Sequence, residues 1–152
     1  MKVVAAPALF SVGYEGRTSA ELFETLVEVG VAHLVDVRLT PLSRKPGLSK
    51  TKLGHSASAA GITYTHFPAL GNPKDNRAPF YSPDTTTGCA RYAELLSHPD
   101  AVEALHQLEA LIRQGPTAVL CFERDHRRCH RQVISDKMSE RVTGLEETFH
   151  IP

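Results

Sequence analysis

Apolar and polar positions along this chain fall into blocks that switch between two periods. Ala8 to Val12 is a short apolar run that stops at Gly13, the pattern of a strand. Thr18-Ser19-Ala20-Glu21 then reads as a capping box. The Thr18 hydroxyl can accept from the backbone N–H of residue 21 while Glu21 reaches back. Leu22, Phe23, Leu26, Val27 and Val29 follow at helical spacing, and Gly30 ends that helix. Val31 to Val37 is a nearly continuous apolar run, which suits a strand buried on both faces. A loop with Pro41 and Pro46 covers Leu39 to Leu48, a helix is predicted over Lys50 to Ala60, and Ile62 to Phe67 alternates like a strand.

Gly71 to Gly88 is long, polar and rich in proline. A loop of that length in a compact domain is usually functional or mobile, and this one is a candidate lid. Helices are predicted over Cys89 to Leu96 and Pro99 to Gln114, the second opening on proline and closing at Gly115. Thr117 to Phe122 is the next strand, Cys129 to Val142 the last helix, and Glu146 to Ile151 a short terminal strand. Strands separated by helices imply one α/β domain over residues 1–152. Its sheet is mostly parallel, has about five strands and carries helices on both faces, in a Rossmann-like three-layer arrangement. Ligands of such sheets sit beyond the carboxyl ends of the strands, where the strand order switches.

Composition narrows the class. The chain has 152 residues, 41% hydrophobic and 22% charged, and its formal net charge is zero. That excludes disorder, collagen and coiled coil, and leaves no strongly basic whole-protein field. Three cysteines are an odd count and do not suggest a secreted disulfide scaffold. The apolar run within Met1 to Phe10 leads into Ser11, Gly13 and Tyr14, so it reads as a strand, not a signal peptide. No run approaches the ~18 residues of a membrane span. A cytoplasmic protein without membrane contact is expected.

The chemically unusual residues gather at the predicted strand ends. Tyr14 follows strand one, Asp36 and Arg38 end strand two, and Cys121 and Glu123 end the strand near residue 120. Residues 124–131 then hold four arginines and two histidines against one aspartate, just before a helix whose N-terminus favours anions. Residues 37–74 carry six basic residues, Arg44 among them, and no acidic one.

Taken in order, Gly13-Tyr14-Glu15-Gly16, Asp36-Val37-Arg38 with Pro41, Ser43 and Arg44, Tyr64-Thr65-His66 with Leu70-Gly71-Asn72-Pro73, and Cys121-Phe122-Glu123 with Cys129-His130-Arg131 resemble the family catalogued as domain of unknown function 488. The resemblance implies a small cytosolic α/β protein, often prokaryotic, and no particular activity.

Three readings stand side by side. In the leading one, a basic cleft binds a phosphate-bearing anion, a small molecule, nucleotide or nucleic acid. Arg38, Arg44, Arg131 and His130 hold the anion, Asp36 and Glu123 position them, and Tyr14 and His66 stack on a base or sugar. The bland counterpart is a structural ion-pair network at the sheet edge. In the second, Cys121 or Cys129 is a nucleophile for sulfur transfer or phosphoester hydrolysis, with Glu123 or His130 as acid–base partner. Cys121 and Arg127 match a phosphatase-like Cys-x5-Arg spacing, without the glycines of a tight backbone cradle. Against it, Cys121 is a buried small hydrophobe. The third reading is a non-enzymatic interaction module. No metal is expected, because Cys121, Cys129, His126 and His130 lack a standard zinc spacing. No cofactor is expected either, because Gly13 and Gly16 do not form a dinucleotide fingerprint.

Overall fold

A computed structural model describes residues 6–152, so Met1 to Ala5 of the N-terminal apolar run lie outside the described residues. Five parallel strands form one sheet: β1 (Leu9–Gly13), β2 (His33–Asp36), β3 (Thr63–His66), β4 (Thr117–Cys121) and β5 (Phe149–His150), in the order β3-β2-β4-β1-β5. The helices between them are α1 (Ser19–Glu28), α2 (Lys50–Ala59), α3 (Thr86–Leu95), α4 (Pro99–Gln114) and α5 (Arg131–Arg141).

Strand alternation splits the core in two. Leu34, Ala118 and Leu120 point to one face, where Leu22, Phe23 and Leu26 of α1 and Leu53 and Ala57 of α2 cover them. Val35, Val119 and Cys121 point to the other, beneath Tyr92 of α3, Leu105, Leu108 and Ile112 of α4, and Ile134 and Met138 of α5. β4 is buried at every residue because both faces and both edges are covered. This is the three-layer α/β arrangement that the alternating blocks imply.

The capping box forms as read: Glu21 N donates to Thr18 Oγ1 at 3.1 Å, and Thr18 N donates to Glu21 Oε1 at 3.1 Å. The 71–88 segment is less of a loop than its composition suggests. α3 starts at Thr86, and two short 3-10 turns, Lys74–Asn76 and Ala78–Tyr81, precede it. Asn72 and Asn76 are buried and bond each other, and Asn76 Nδ2 also donates to the Gly88 carbonyl at 3.1 Å. Tyr92 Oη donates to the Leu70 carbonyl at 2.6 Å, which pins the start of the segment to α3. At the other end, β5 is only two residues long, paired to Phe10 and Ser11. Among the described residues, no helix is long and apolar enough to cross a membrane.

The order of the sheet places the site. β1 and β2 lead into α1 and α2 on one face, while β4, lying between them, leads into α5 on the opposite face. Neighbouring strands whose exits diverge leave a crevice at their carboxyl ends. One glycine makes that crevice's floor possible. Chain leaving β4 crosses directly over Gly13, where a Cβ would land on the Glu123 carbonyl and the Arg124 Cα.

Gly13→Ala is therefore expected to destabilise the fold by about 1–3 kcal/mol, the ordinary cost of overpacking, read as a lower urea midpoint with unchanged slope. A second expectation concerns β5. His150 stacks on His126 with ring centroids 3.4 Å apart. Burial and the neighbouring His126 push its pKa down to about 4. The unfolded chain then binds more protons than the folded one between about pH 6.5 and 4. Stability contributed by neutral His150 is lost as pH falls through that window. The urea midpoint of the wild type should drop further over it than that of His150→Phe; equal drops would refute the coupling.

Candidate active site at the strand ends

The exit of β2 is locked by a buried ion pair. Arg38 donates to Asp36 through Nε (2.9 Å to Oδ1) and Nη2 (2.7 Å to Oδ2), and the Arg38 backbone N–H adds a bond to Oδ1 at 3.1 Å. Tyr64 Oη donates to Asp36 Oδ2 at 2.6 Å. The remaining Arg38 nitrogen, Nη1, donates to the Leu48 carbonyl at 2.7 Å and to Tyr14 Oη at 3.3 Å. Burial opposes the Arg38 charge, but the Asp36 carboxylate outweighs it and drives the guanidinium pKa upward. Burial and Asp36 together raise the Tyr64 hydroxyl.

Between these two residues lies Val37, whose carbonyl meets His130 Nε2 at 2.8 Å. A carbonyl only accepts, so Nε2 carries a proton there and Nδ1 is left to face the neighbouring sulfur. Cys129 Sγ lies 3.5 Å from that Nδ1, and Arg131 Nε donates to it at 3.4 Å. Cys129 directly precedes His130, the N-cap of α5, where the helix N-terminus adds positive potential. Burial alone would raise this thiol. The hydrogen bond from Cys121 and the charges of His130 and Arg131 outweigh it and hold Cys129 well below the ordinary thiol range.

His130 responds in kind: burial lowers it, and the Cys129 thiolate more than offsets that, so its pKa rises. Cys121 is the opposite member of the pair. Its bond to Cys129, its burial and the adjacent negative charges push it well above the usual thiol value. The S–H of Cys121 donates to Glu123 Oε2 at 3.5 Å, and the Cys129 sulfur lies within 4.8 Å of it. Burial, followed by the Cys129 charge, raises the Glu123 carboxyl, and Tyr81 Oη donates to its Oε1 at 2.9 Å. Arg131 is fully buried and donates through Nη2 to the Glu123 carbonyl.

These groups line a pocket of about 330 Å³. Cys121 and Glu123 line it from the end of β4, Cys129 and His130 from the approach to α5, and Tyr14 and Arg38 from the exits of β1 and β2. The 71–88 segment forms a wall through Asn72, Arg77, Phe80 and Tyr81. Leu39, Leu42, Tyr81 and Phe122, all exposed, rim the mouth.

Several expected residues take other roles. Arg38 is spent on Asp36, Tyr14 and Leu48 and positions them, while Arg131 bonds Cys129 and Glu123 and leaves its buried Nη1 without a partner among the described residues. Arg44 is exposed on the loop between β2 and α2, outside the pocket. His66 Nε2 bonds the Arg38 carbonyl at 2.7 Å and braces β2 from behind. The phosphatase-like spacing does not fold into a cradle, because Arg127 is exposed and pairs with Asp125 at 3.1 Å. Two cations that line the pocket were missed, Arg77 and Arg128. Among the described residues the Arg77 guanidinium makes no hydrogen bond or ion pair, and Arg128 reaches the Tyr81 carbonyl at 3.1 Å. Their only sequence signals are the long 71–88 segment and the arginine run.

The ligand atoms of Cys121, Cys129 and His130 all lie within 4.8 Å of one another, a spacing that a soft cation can bridge. Among known proteins, the family model described as Domain of unknown function DUF488 matches residues 18–138. The chain belongs to that family. The matched span holds Asp36, Arg38, Cys121, Glu123, Cys129, His130 and Arg131, while Gly13 to Gly16 precede it. No curated protein matches, and no solved structure does.

Removing one partner of the buried ion pair strands the other. Asp36→Ala is expected to cost about 3–5 kcal/mol of unfolding free energy in urea, and Asp36→Ala with Arg38→Met to cost clearly less than the single change. An Asp36→Ala loss below about 1 kcal/mol would show that the pair does not organise the β2 exit.

Proposed function

We propose that this protein is a thiol-dependent enzyme with Cys129 as its nucleophile and a small anionic molecule as its substrate. The observation that carries the reading is the setting of one sulfur atom. Cys129 Sγ is held between His130 Nδ1 at 3.5 Å and Arg131 Nε at 3.4 Å, on the wall of a pocket. A thiolate needs such partners, and an inert buried cysteine does not.

The anionic character of the substrate rests on the pocket's charges. Arg77, Arg128 and His130 face it against the single carboxylate of Glu123. Phosphate, carboxylate and sulfonate groups all suit paired guanidinium donors. At about 330 Å³ the pocket is at the small end of ligand sites, so a nucleic acid would engage it only by presenting a single group at the mouth. The apolar rim of Leu39, Leu42, Tyr81 and Phe122 accommodates a substrate body less polar than its anionic end.

Iodoacetate, an anionic alkylating agent, tests both halves. At mildly acidic pH it should label Cys129 at least about tenfold faster than the half-buried Cys89. Inorganic phosphate should compete. Arg77→Ala with Arg128→Ala should slow iodoacetate and leave neutral iodoacetamide unchanged. Labelling of Cys129 no faster than that of Cys89 would overturn the nucleophile. Equal effects of the arginine changes on the two reagents would overturn the anionic substrate.

A further inference from the structure

We propose that Cys121 and Cys129 form a two-electron dithiol couple, with Cys129 attacking and Cys121 resolving, and that its substrate class is a small anionic disulfide. This deepens the proposed role of Cys129 and rests on it.

The geometry supplies three independent supports. The two sulfurs lie within 4.8 Å of each other, so forming the bond requires a closure of under about 3 Å, to the ordinary S–S length of about 2.05 Å. Both cysteines are free, and both line the same pocket, so a substrate attached to Cys129 lies beside Cys121. The two sulfurs also have different companions. Cys129 has the cationic side chains His130 and Arg131, while Cys121 has the carboxyl of Glu123 at 3.5 Å. That asymmetry suits an attacking thiolate paired with a second thiol that keeps its proton until needed. A Cys-x7-Cys spacing carries none of this; the fold places the two sulfurs within 4.8 Å of each other.

The chemistry balances without a further reagent. The Cys129 thiolate attacks one sulfur of a disulfide R–S–S–R, forming Cys129–S–S–R and expelling RS⁻. The Cys121 sulfur then attacks the Cys129 sulfur, the bond from Cys129 to S–R breaks, and the second RS⁻ leaves with the Cys121 proton. The protein is oxidised to an internal disulfide, and the substrate is reduced by two electrons to two thiols. Glu123 Oε2 is placed to relay the Cys121 proton, and Arg77 and Arg128 to hold the acidic groups of R.

The test uses the full chain carrying Cys89→Ser, reduced and native, with one equivalent of 5,5′-dithiobis(2-nitrobenzoate), an anionic disulfide. The expected result is release of two thionitrobenzoates per protein, a product lighter by two hydrogens, and a linked Cys121–Cys129 peptide by mass spectrometry. Adding Cys121→Ser should halve the release and leave the mixed disulfide on Cys129. The stoichiometry of the parent protein decides the matter even if that variant does not fold.

One released thionitrobenzoate and a stable adduct on Cys129 of the parent would overturn the couple while sparing the nucleophile. No reaction at Cys129 after chelator treatment would overturn both. Inertness of the protein as purified, abolished by a chelator and restored by stoichiometric zinc, would overturn the couple in favour of a bound metal. For the substrate's charge, dithiodipropionate and cystamine rates, each divided by the rate for the urea-unfolded chain, should differ by about tenfold or more in favour of the anion. Equal ratios would overturn the anionic class.

Discussion

The buried fork between Asp36 and Arg38 holds more of this molecule in place than its size suggests. It closes the exit of β2, and through Leu48, Tyr14 and Tyr64 it fixes three other segments at the same sheet end. It also brackets Val37. Because the Val37 carbonyl receives His130 Nε2, the imidazole has one orientation, and its other nitrogen faces Cys129. An ion pair of this kind adds little net stability over an apolar equivalent, but it specifies one arrangement of polar atoms. Here that arrangement is what turns a cysteine at a helix N-terminus toward a partner.

Charge in the site is sorted by depth. The two arginines nearest the sheet, Arg38 and Arg131, are buried and orient what surrounds them; Arg38 is satisfied by protein groups, whereas Arg131 bonds through Nε and Nη2 and leaves its buried Nη1 without a partner among the described residues. The two nearer solvent, Arg77 and Arg128, keep donors available to the pocket. A buried guanidinium without partners would be costly, whereas an exposed one is not, so the division follows from desolvation. Within the cluster the same economy governs protons. Cys129 and His130 share opposite charges, while Cys121 and Glu123 beside them shift toward their protonated forms.

Much was legible in the chain. Periodicity placed every strand and helix to within a few residues, because burying apolar side chains on one stripe or two faces leaves a local signature. The Thr18 to Glu21 capping box is legible for the same reason: all its partners lie within four residues. The motif residues Arg38, Cys121 and Cys129 come together on one pocket at the carboxyl ends of the strands. Residue roles within it were less legible. Arg38 and Arg131 read as ligand donors, and nothing local reveals that Leu48 takes the last Arg38 nitrogen or that Glu123 takes one Arg131 nitrogen while Nη1 of Arg131 stays unpartnered among the described residues. Arg44 read the same way and lies elsewhere.

What the amino-acid sequence determined by itself was therefore local: which segments are strands, which are helices, and that chemically unusual residues stand at strand ends. What only the tertiary structure decided was the company each residue keeps. The order β3-β2-β4-β1-β5 inserts β4 between strands that precede it by many residues, and that insertion joins Val37 to His130 and Tyr81 to Glu123. Such contacts depend on which strands are neighbours, a property of the whole packed sheet with no trace in any short stretch of chain.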